Sequence, residues 1–476
     1  MFYRMISANN IFRRVLKITL TTFAVLFFFF FSLVLVLKSS KVQTYLTQKI
    51  STYLSNEYHT VVSAGNVNVS LLHGLIIKQL YIEDRHKDTL LYVDYLGVFP
   101  KNFPRSASNI NFRSISVEGL YLNAYMQADS LMNYQFIADY FSSEEETDSS
   151  SMILKCKNFE IKDSRIAYKK INSDTLPGIN YDDLLLSNIN LSISDFEMKD
   201  DVYSYSEVDL SLKEQCGFEL NSLLFENGRV GSDGIKHSLF SLKTPNSNFS
   251  ANNLYFLFNS WEDFNSFSEQ VKFNAVFPEN NYLSSKDINV FLSDTISGIE
   301  KTYLTGRVGG SVNNIWFSDF RLRAGDLFYL DTDARLVNMA NSDSMGFDTK
   351  VNQLMVDTRK LSRLKLSNAD SALIPMPEEL IRLGVVRYKG ETSGTRNDFF
   401  TMGEFSGAFG KLDLRFTGGK DEQRELFLYG QIVGQRINLS KILANEDLGV
   451  VSMQQDIDFT LTKEDKIEFE TGGTID

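Results

Sequence analysis

Cysteine and proline are scarce in this chain, which contains two Cys and seven Pro among 476 residues. Cys156 and Cys216 cannot build a disulfide framework, and neither belongs to a CxxC pair or to a spacing typical of metal ligands. They are compatible with one disulfide or with two small, mostly buried thiols. The low proline content, with 38 Phe, 21 Tyr and 43% hydrophobic residues, indicates an ordered chain rich in strand-forming aromatics.

Clusters of Lys and Arg are absent beyond the N-terminus, and the net charge is -12 with a pI near 5.1. Proteins that bind nucleic acids present basic patches to the phosphates, so this class is disfavoured. Histidine is equally sparse: His59, His73, His86 and His237 show neither HxxxH nor HEXXH spacing. We therefore expect surface or turn histidines and no metal site.

Sequence motifs of known catalytic sites are missing as well. The stretches "GRVGGSV" (306–312) and "GEFSGAFGK" (403–411) do not match the GxGxxG or GxxxxGK[ST] spacings that bind phosphates, and no GxSxG elbow is present. Glycines within strands usually mark bulges or turns. We expect a protein that is not an enzyme, with no catalytic residue and no cofactor.

One long hydrophobic run is present, from Ile18 to Leu37, and it contains no charged residue. About 20 helical residues are needed to cross a bilayer, whereas a signal peptide has a shorter apolar region and a small-residue cleavage site. The run ends in bulky aliphatics and Lys38, which favours an uncleaved signal anchor. Arg4, Arg13 and Lys17 precede it without any acidic residue, which places residues 1–17 in the cytoplasm and the body of the chain outside it.

An amphipathic helix is predicted over residues 41–58, directly after the span. Val42, Leu46, Ile50, Tyr53 and Leu54 follow one another at offsets of three and four, which gives one apolar stripe. Such a helix either lies on the membrane surface or packs against the first sheet of the following domain.

Beyond residue 60 the hydrophobic period changes from 3.6 to 2, which predicts a repetitive β domain over residues 60–476. We expect strand pairs that turn near Gly74, Gly119, Asp163 and Asp195. The alternation of apolar and polar residues continues through segments such as "SKDINVFLSD" and "ELFLYGQIVGQ". Residues 142–151 ("SSEEETDSSS") are predicted to form a loop. Four short helices are expected, at 129–141, 261–271, 377–383 and 439–444.

A long succession of alternating strands has one apolar sheet face, and the predicted helices are too few and short to cover it. The sheet is therefore expected either to fold against itself as a closed sandwich or to curl into a trough with an elongated apolar groove.

The order of several segments resembles the AsmA-like, TamB-type proteins of the Bacteroidota. The resemblance begins with the anchor and "VQTYLTQKISTYLSNEYHTVVSAGNVNVSLLHGLIIKQLYIEDRHKDTLLYVDYLGV". It continues through "SLMNYQFIADYF", "CGFELNSLLFE", "LKTPNSNFSANNLYF" and "INLSKILANEDLGVVSM", and so covers residues 12 to about 455. No single motif is diagnostic, but their order is fairly specific.

The resemblance implies an inner-membrane protein of a Gram-negative envelope, with a periplasmic, taco-like and antiparallel-rich β-sheet. In such proteins the groove is thought to carry phospholipid between the inner and outer membranes. Relatives are usually longer and end in a domain that engages an outer-membrane protein of the Omp85 class. We therefore expect this chain to be an N-terminal portion, with membrane phospholipid as its ligand.

The groove lining is predicted at alternating apolar positions of the first strands. These are Val67, Val69, Leu71, Leu80, Ile82, Ile115, Val117, Leu120, Leu122, Ile161, Ile189, Leu191 and Ile193. The alternative for each residue is a closed core position. Two other functions also remain open: an assembly module that binds unfolded outer-membrane proteins by β-strand addition, and a closed β-sandwich envelope protein.

Overall fold

A computed structural model describes most of the chain after residue 51. The described residues are 52–53, 55–70, 74–102, 109–127, 131–142, 153–170, 178–292, 295, 297–341, 344–364, 374–463 and 466–476. The predicted tail (1–17), membrane span (18–37), most of the amphipathic helix (41–58) and the loop at 143–151 lie outside them. Within these ranges no helix has the length and apolarity that crossing a bilayer requires.

Strands dominate the described residues, which confirms the mainly β fold, and the chain divides into two compact units, Met1–Glu219 and Leu220–Asp476. The first unit contains β1 (Val62–Ser70), β2 (Gly74–Glu83), β3 (Thr89–Pro100), β4 (Asn109–Glu118), β5 (Tyr121–Met126), β6 (Ile153–Lys170), β7 (Asp183–Lys199) and β8 (Val202–Glu214). β9 (Glu219–Gly231) begins at the boundary.

The second unit continues with fourteen further strands. They are β10 (Gly234–Lys243), β11 (Asn248–Leu257), β12 (Lys272–Phe277), β13 (Tyr282–Ser284), β14 (Lys301–Gly310), β15 (Ile315–Ala324), β16 (Phe328–Val337), β17 (Gly346–Asp357), β18 (Val385–Thr395), β19 (Phe399–Gly407), β20 (Gly410–Gly419), β21 (Arg424–Asn438), β22 (Val450–Thr462) and β23 (Ile467–Ile475).

In the first unit, β1, β2 and β3 pair antiparallel in sequence order. β4 and β5 both pair antiparallel with β3 and parallel with β6, so they occupy one position in the sheet, end to end. β6, β7 and β8 then continue antiparallel. A parallel pairing requires a crossover, and the chain between β5 and β6 includes the helix Gln135–Ser142.

Three of the predicted turns are wrong, because the chain continues forward at Gly119, Asp163 and Asp195. All three residues have positive φ, between 48° and 62°. Gly119 separates β4 from β5 without reversing the chain, and β6 and β7 run straight through the two aspartates. Glycine, Asp and Asn tolerate positive φ in β-bulges as well as in turns, so the residue type alone did not distinguish them.

The second unit is an antiparallel succession of strands from β9 to β23. Each strand pairs with the next along the chain, except that β12 and β13 share one position between β11 and β14. The pairing then continues without interruption from β14 to β23. The strand-after-strand architecture expected from the alternating pattern is present in this unit.

Short helical segments interrupt the strands. They are Gln135–Ser142, a 3₁₀ turn at Trp261–Ser266, Phe267–Gln270, Ser285–Val290, Thr358–Leu361, Glu378–Leu383 and Leu439–Leu443. Five of these segments overlap the four predicted helices, since Trp261–Ser266 and Phe267–Gln270 both lie within 261–271. Residues 285–290 of "SKDINVFLSD" form a helix and not the predicted strand. Ser284 caps this helix through a hydrogen bond from the Lys286 amide, and Asp287 is buried against the β10–β11 turn.

Candidate functional site

The apolar face of the first unit is built from side chains that stand in register across neighbouring strands. Val67 of β1 lies opposite Ile77 of β2, and the row continues through one residue of every following strand position: Leu96, Val117, Ile161, Leu191 and Leu210. A second row runs beside it: Leu75, Val98, Ile115, Phe159, Ile193 and Val208. Cross-strand pairs of this kind are the main packing unit of a sheet.

Most of the predicted lining residues lie together on this face. Ten of them belong to, or pack against, one buried apolar cluster: Leu80, Ile82, Leu120, Val67, Ile115, Val117, Leu122, Ile161, Leu191 and Ile193. Ile189 is also buried, opposite Ser164 of β6. Val69 lies in β1 but its side chain is outside the described part of the structure, as is Leu71 altogether. Contact of these residues with lipid remains a prediction.

Burial decreases along the row from β3 towards β8. Leu96 and Ile77 are 0% and 2% exposed, whereas Ile161, Leu191 and Leu210 are only partly buried. Two helical segments contribute to the buried apolar cluster: Tyr58, from the helical residues 55–58, and Phe136 both belong to it, and their ring centroids lie 6.3 Å apart. Along the first row the apolar side chains are therefore buried in β2 and β3 and partly exposed from β4 to β8.

A buried hydrogen-bond network holds the segment that leads into the helix Gln135–Ser142. Asp84, which is 1% exposed, accepts hydrogen bonds from the Tyr125 hydroxyl (2.6 Å) and the Asn133 amide (3.2 Å). Two backbone amides, of His86 and Asp88, bond its other oxygen at 2.8 and 3.0 Å. Burial alone would raise the pKa of Asp84, but these hydrogen bonds stabilise the carboxylate and lower the pKa below its ordinary value.

The two cysteines are free thiols, Cys156 buried and Cys216 exposed. Cys156 belongs to the apolar cluster, and burial raises the pKa of its thiol to about 11. It is consequently a small apolar packing residue and an unreactive thiol at neutral pH. Of the two possibilities left open by the sequence, free thiols are the one found, although only one of them is buried.

The second unit has an apolar face of the same design. One row begins at Leu304 of β14 and passes through nine strands in register: Leu322, Leu330, Leu354, Tyr388, Phe405, Leu412, Gly434, Met453 and Ile475. From Leu304 to Met453 its side chains are partly buried, Gly434 is buried, and Ile475 is exposed. A small buried cluster around Ala251, Ala275 and Val308 lies on the β11–β14 side.

The opposite side of the second sheet is the charged face. It carries ion pairs between neighbouring strands, including Lys350–Glu391, Lys389–Glu404 and Lys411–Glu404. The distances are 3.6, 3.3 and 3.0 Å, and the side chains involved are exposed to water. An open depression of 820 Å³ between β19 and β23 is lined by side chains such as Arg415, Gln431 and Asp456, which belong to this face. The two faces therefore differ sharply in polarity.

The predicted lining residues include part of the apolar positions of the first unit and none of those in the second. Alternation in "GKLDLRFTGG" and "ELFLYGQIVGQ" carries the same signal, and it would have indicated Leu412, Leu414, Phe416, Leu428 and Ile432. One predicted surface histidine, His237, is instead buried beside Phe225, with ring centroids 4.9 Å apart.

Within the described ranges no group of three or more His, Cys, Asp or Glu side chains is arranged to hold a metal ion. Comparison of the chain with family models, curated proteins and solved structures finds no match. The two apolar faces are therefore the features of the molecule that bear on its function.

Proposed function

We propose that this protein holds phospholipid acyl chains against its apolar faces and thereby moves phospholipid between two membranes. The observation that carries the proposal is the partial exposure of side chains that stand in register across many strands, such as Leu191 and Leu210 in the first unit and Phe405 and Leu412 in the second. Large exposed apolar surfaces are unusual in soluble domains and generally mark an interaction site.

A phospholipid fits such a face better than a compact ligand does. Each acyl CH₂ group that leaves water gains about 0.8 kcal/mol, so a long uninterrupted apolar row lowers the barrier for a two-chain lipid at every position along it. The head group can stay in water because the face is open. No catalytic group is needed for this activity.

Further parts of the proposal rest on the sequence. The 20-residue apolar run at 18–37 supports an inner-membrane anchor, and the resemblance to AsmA-like, TamB-type proteins supports a curled periplasmic trough and an outer-membrane partner of the Omp85 class. The apolar and charged faces of the second sheet support the trough, because curling would shield the first and leave the second in water.

The test places a carboxylate on the apolar face and measures lipid contact beside it. A photoreactive amino acid at Leu191 is cross-linked in membranes of cells that express the full chain, with and without Leu210→Asp on the neighbouring strand. A carboxylate among acyl chains costs about 2.5–3.5 kcal/mol, part of which solvent recovers at this partly exposed site, so we expect the lipid adduct to fall about tenfold.

Ser211→Asp is the matched control, because Ser211 follows Leu210 in β8 and lies on the opposite side of the sheet, opposite Asn190. The adduct should survive this change. Equal adducts in both variants, or adducts with polypeptide of alternating polarity in place of lipid, would exclude the lipid proposal and favour strand addition.

A further inference from the structure

Glycines in β18–β21 are segregated to the apolar face of the second sheet. The register places all but Gly419 on the side that carries Tyr388, Phe405 and Leu412. The set consists of Gly390, Gly394, Gly403, Gly407, Gly410, Gly418, Gly430 and Gly434. Glycine weakens a strand and offers nothing to pack, so its concentration on one face calls for a local reason.

The ring of Tyr388 lies across two of these glycines. A Cβ atom added to Gly403 would stand 2.4 Å from Cε2 and 2.8 Å from Cζ of this ring, and one added to Gly390 would stand 2.3 Å from its hydroxyl oxygen. Phe405 lies beside it in the same row, with ring centroids 4.6 Å apart. The aromatic side chain is therefore folded down onto the sheet and covers the space that two side chains would occupy.

Backbone conformation does not explain Gly403. Neither Gly390 nor Gly403 has positive φ, and all three nearest atoms to a Cβ at Gly403 belong to the Tyr388 ring. At Gly390 a neighbouring carbonyl oxygen, of Met402, is also close, at 2.4 Å. Gly403 is thus the position where the identity of the residue decides how far the ring stands above the sheet.

We propose that Tyr388 and Gly403 together set the depth of the apolar face at β18–β19 and so determine whether acyl chains are held there. The inference rests on the proposed lipid-binding function. With the ring flat, the face at this point is one aromatic ring thick, and an acyl chain can run over it. A larger residue at position 403 pushes the Tyr388 ring away from the sheet or takes the place of the ring, and in either case it displaces the acyl chain.

The experiment compares lipid contact at two sites of the full-length protein in its membrane. A photoreactive amino acid is placed at Leu412, next to Phe405, or at Leu304, at the far end of the same row. The ratio of the two lipid adducts is measured with and without Gly403→Leu. An isobutyl group excludes about two methylene groups of an acyl chain from apolar contact, so we expect this ratio to fall about tenfold.

Two further variants distinguish a change in the depth of the apolar face from a general loss of folding. Ser406→Leu adds the same side chain to β19 on the charged face, and the ratio should be unchanged. Tyr388→Ala combined with Gly403→Leu lets the new side chain occupy the space of the ring, and the ratio should return to within about twofold of its original value.

The outcomes are distinct for the two proposals. An unchanged ratio in Gly403→Leu, an equal loss in Ser406→Leu or no recovery in the double variant would overturn the depth-setting role. Absence of lipid adducts at both Leu304 and Leu412 in the parent protein would overturn the lipid-binding function itself.

Discussion

At the scale of single residues, His237 is a buried group that can ionise. It is 8% exposed, lies beside Phe225, and burial lowers its pKa to about 4. The neutral imidazole is therefore the form present in the folded protein at any pH above about 4. In the unfolded chain the same side chain has a pKa of about 6.5.

This difference makes stability depend on pH in a defined window. The unfolded chain binds a proton below about pH 6.5 and the folded one only below about pH 4, so stability present above pH 6.5 is lost as the pH falls between these values. We expect about 2 kcal/mol of loss between pH 8 and pH 5 from this group. Both tryptophans, Trp261 and Trp316, lie in the second unit. Denaturant unfolding followed by tryptophan fluorescence at each pH therefore measures the stability of this unit.

His237→Gln removes the titrating group and should flatten the dependence between pH 6.5 and 4, whereas His59→Asn, at an exposed site in the first unit, should leave it as it is. An equal loss of stability in the parent and in His237→Gln would show that other groups cause the dependence.

At the scale of elements, helical segments contribute to the burial of the first apolar face. Phe136 on the helix Gln135–Ser142 is buried over the face, and Asn133, just before this helix, bonds Asp84. The network joins the β2–β3 turn, the end of β5 and the start of the helix. It therefore holds in place a helix that helps to cover the sheet. Its donors are worth more than surface hydrogen bonds because their acceptor is a buried carboxylate.

Removing one donor tests this anchoring. Tyr125→Phe leaves the buried Asp84 carboxylate with one bond fewer, and we expect a local destabilisation of about 1–3 kcal/mol. Hydrogen–deuterium exchange of peptides covering 131–142 should then accelerate by about tenfold or more.

Tyr92→Phe is the comparison, because the Tyr92 hydroxyl bonds the exposed Asp94 at 2.9 Å. Exchange in residues 131–142 should not change in this variant. If Tyr125→Phe also leaves it unchanged, the helix is held by apolar packing alone.

Element types were predictable from the sequence where a single local rule applied. The alternating pattern identified the strands, and Ser260, Pro377 and Asn438 mark the starts of three expected helices. The helix Ser285–Val290 was missed because its apolar residues alternate as in a strand, while the buried contacts of Asp287 with Thr244 and Ser247 that hold it come from a distant turn. Such contacts are tertiary and leave no local signal.

At the scale of the molecule, the sequence predicted the mainly β class and an apolar face. Most of the lining residues that it predicted lie on the face of the first unit, but Ile77, Leu96 and Leu210 of the first row were not among them. The rows themselves were not predictable, because the side of the sheet on which odd- and even-numbered residues lie changes within single strands. Gln79, with φ of 54°, moves the buried positions of β2 from 75 and 77 to 80 and 82. At Gln79 this change of side occurs without a register shift in the pairing with β1 or β3, so only the burial and the pairing partners reveal on which side a residue lies.

Whether phospholipid occupies the apolar faces is tested by measuring the lipid content of the full-length protein. The chain is extracted from membranes in mild detergent, purified, and its bound phospholipid is quantified by mass spectrometry against the detergent-exchanged protein. The account predicts phospholipid at one or more molecules per chain, reduced by Leu210→Asp and retained by Ser211→Asp. A folded, monodisperse protein with no bound phospholipid would contradict it.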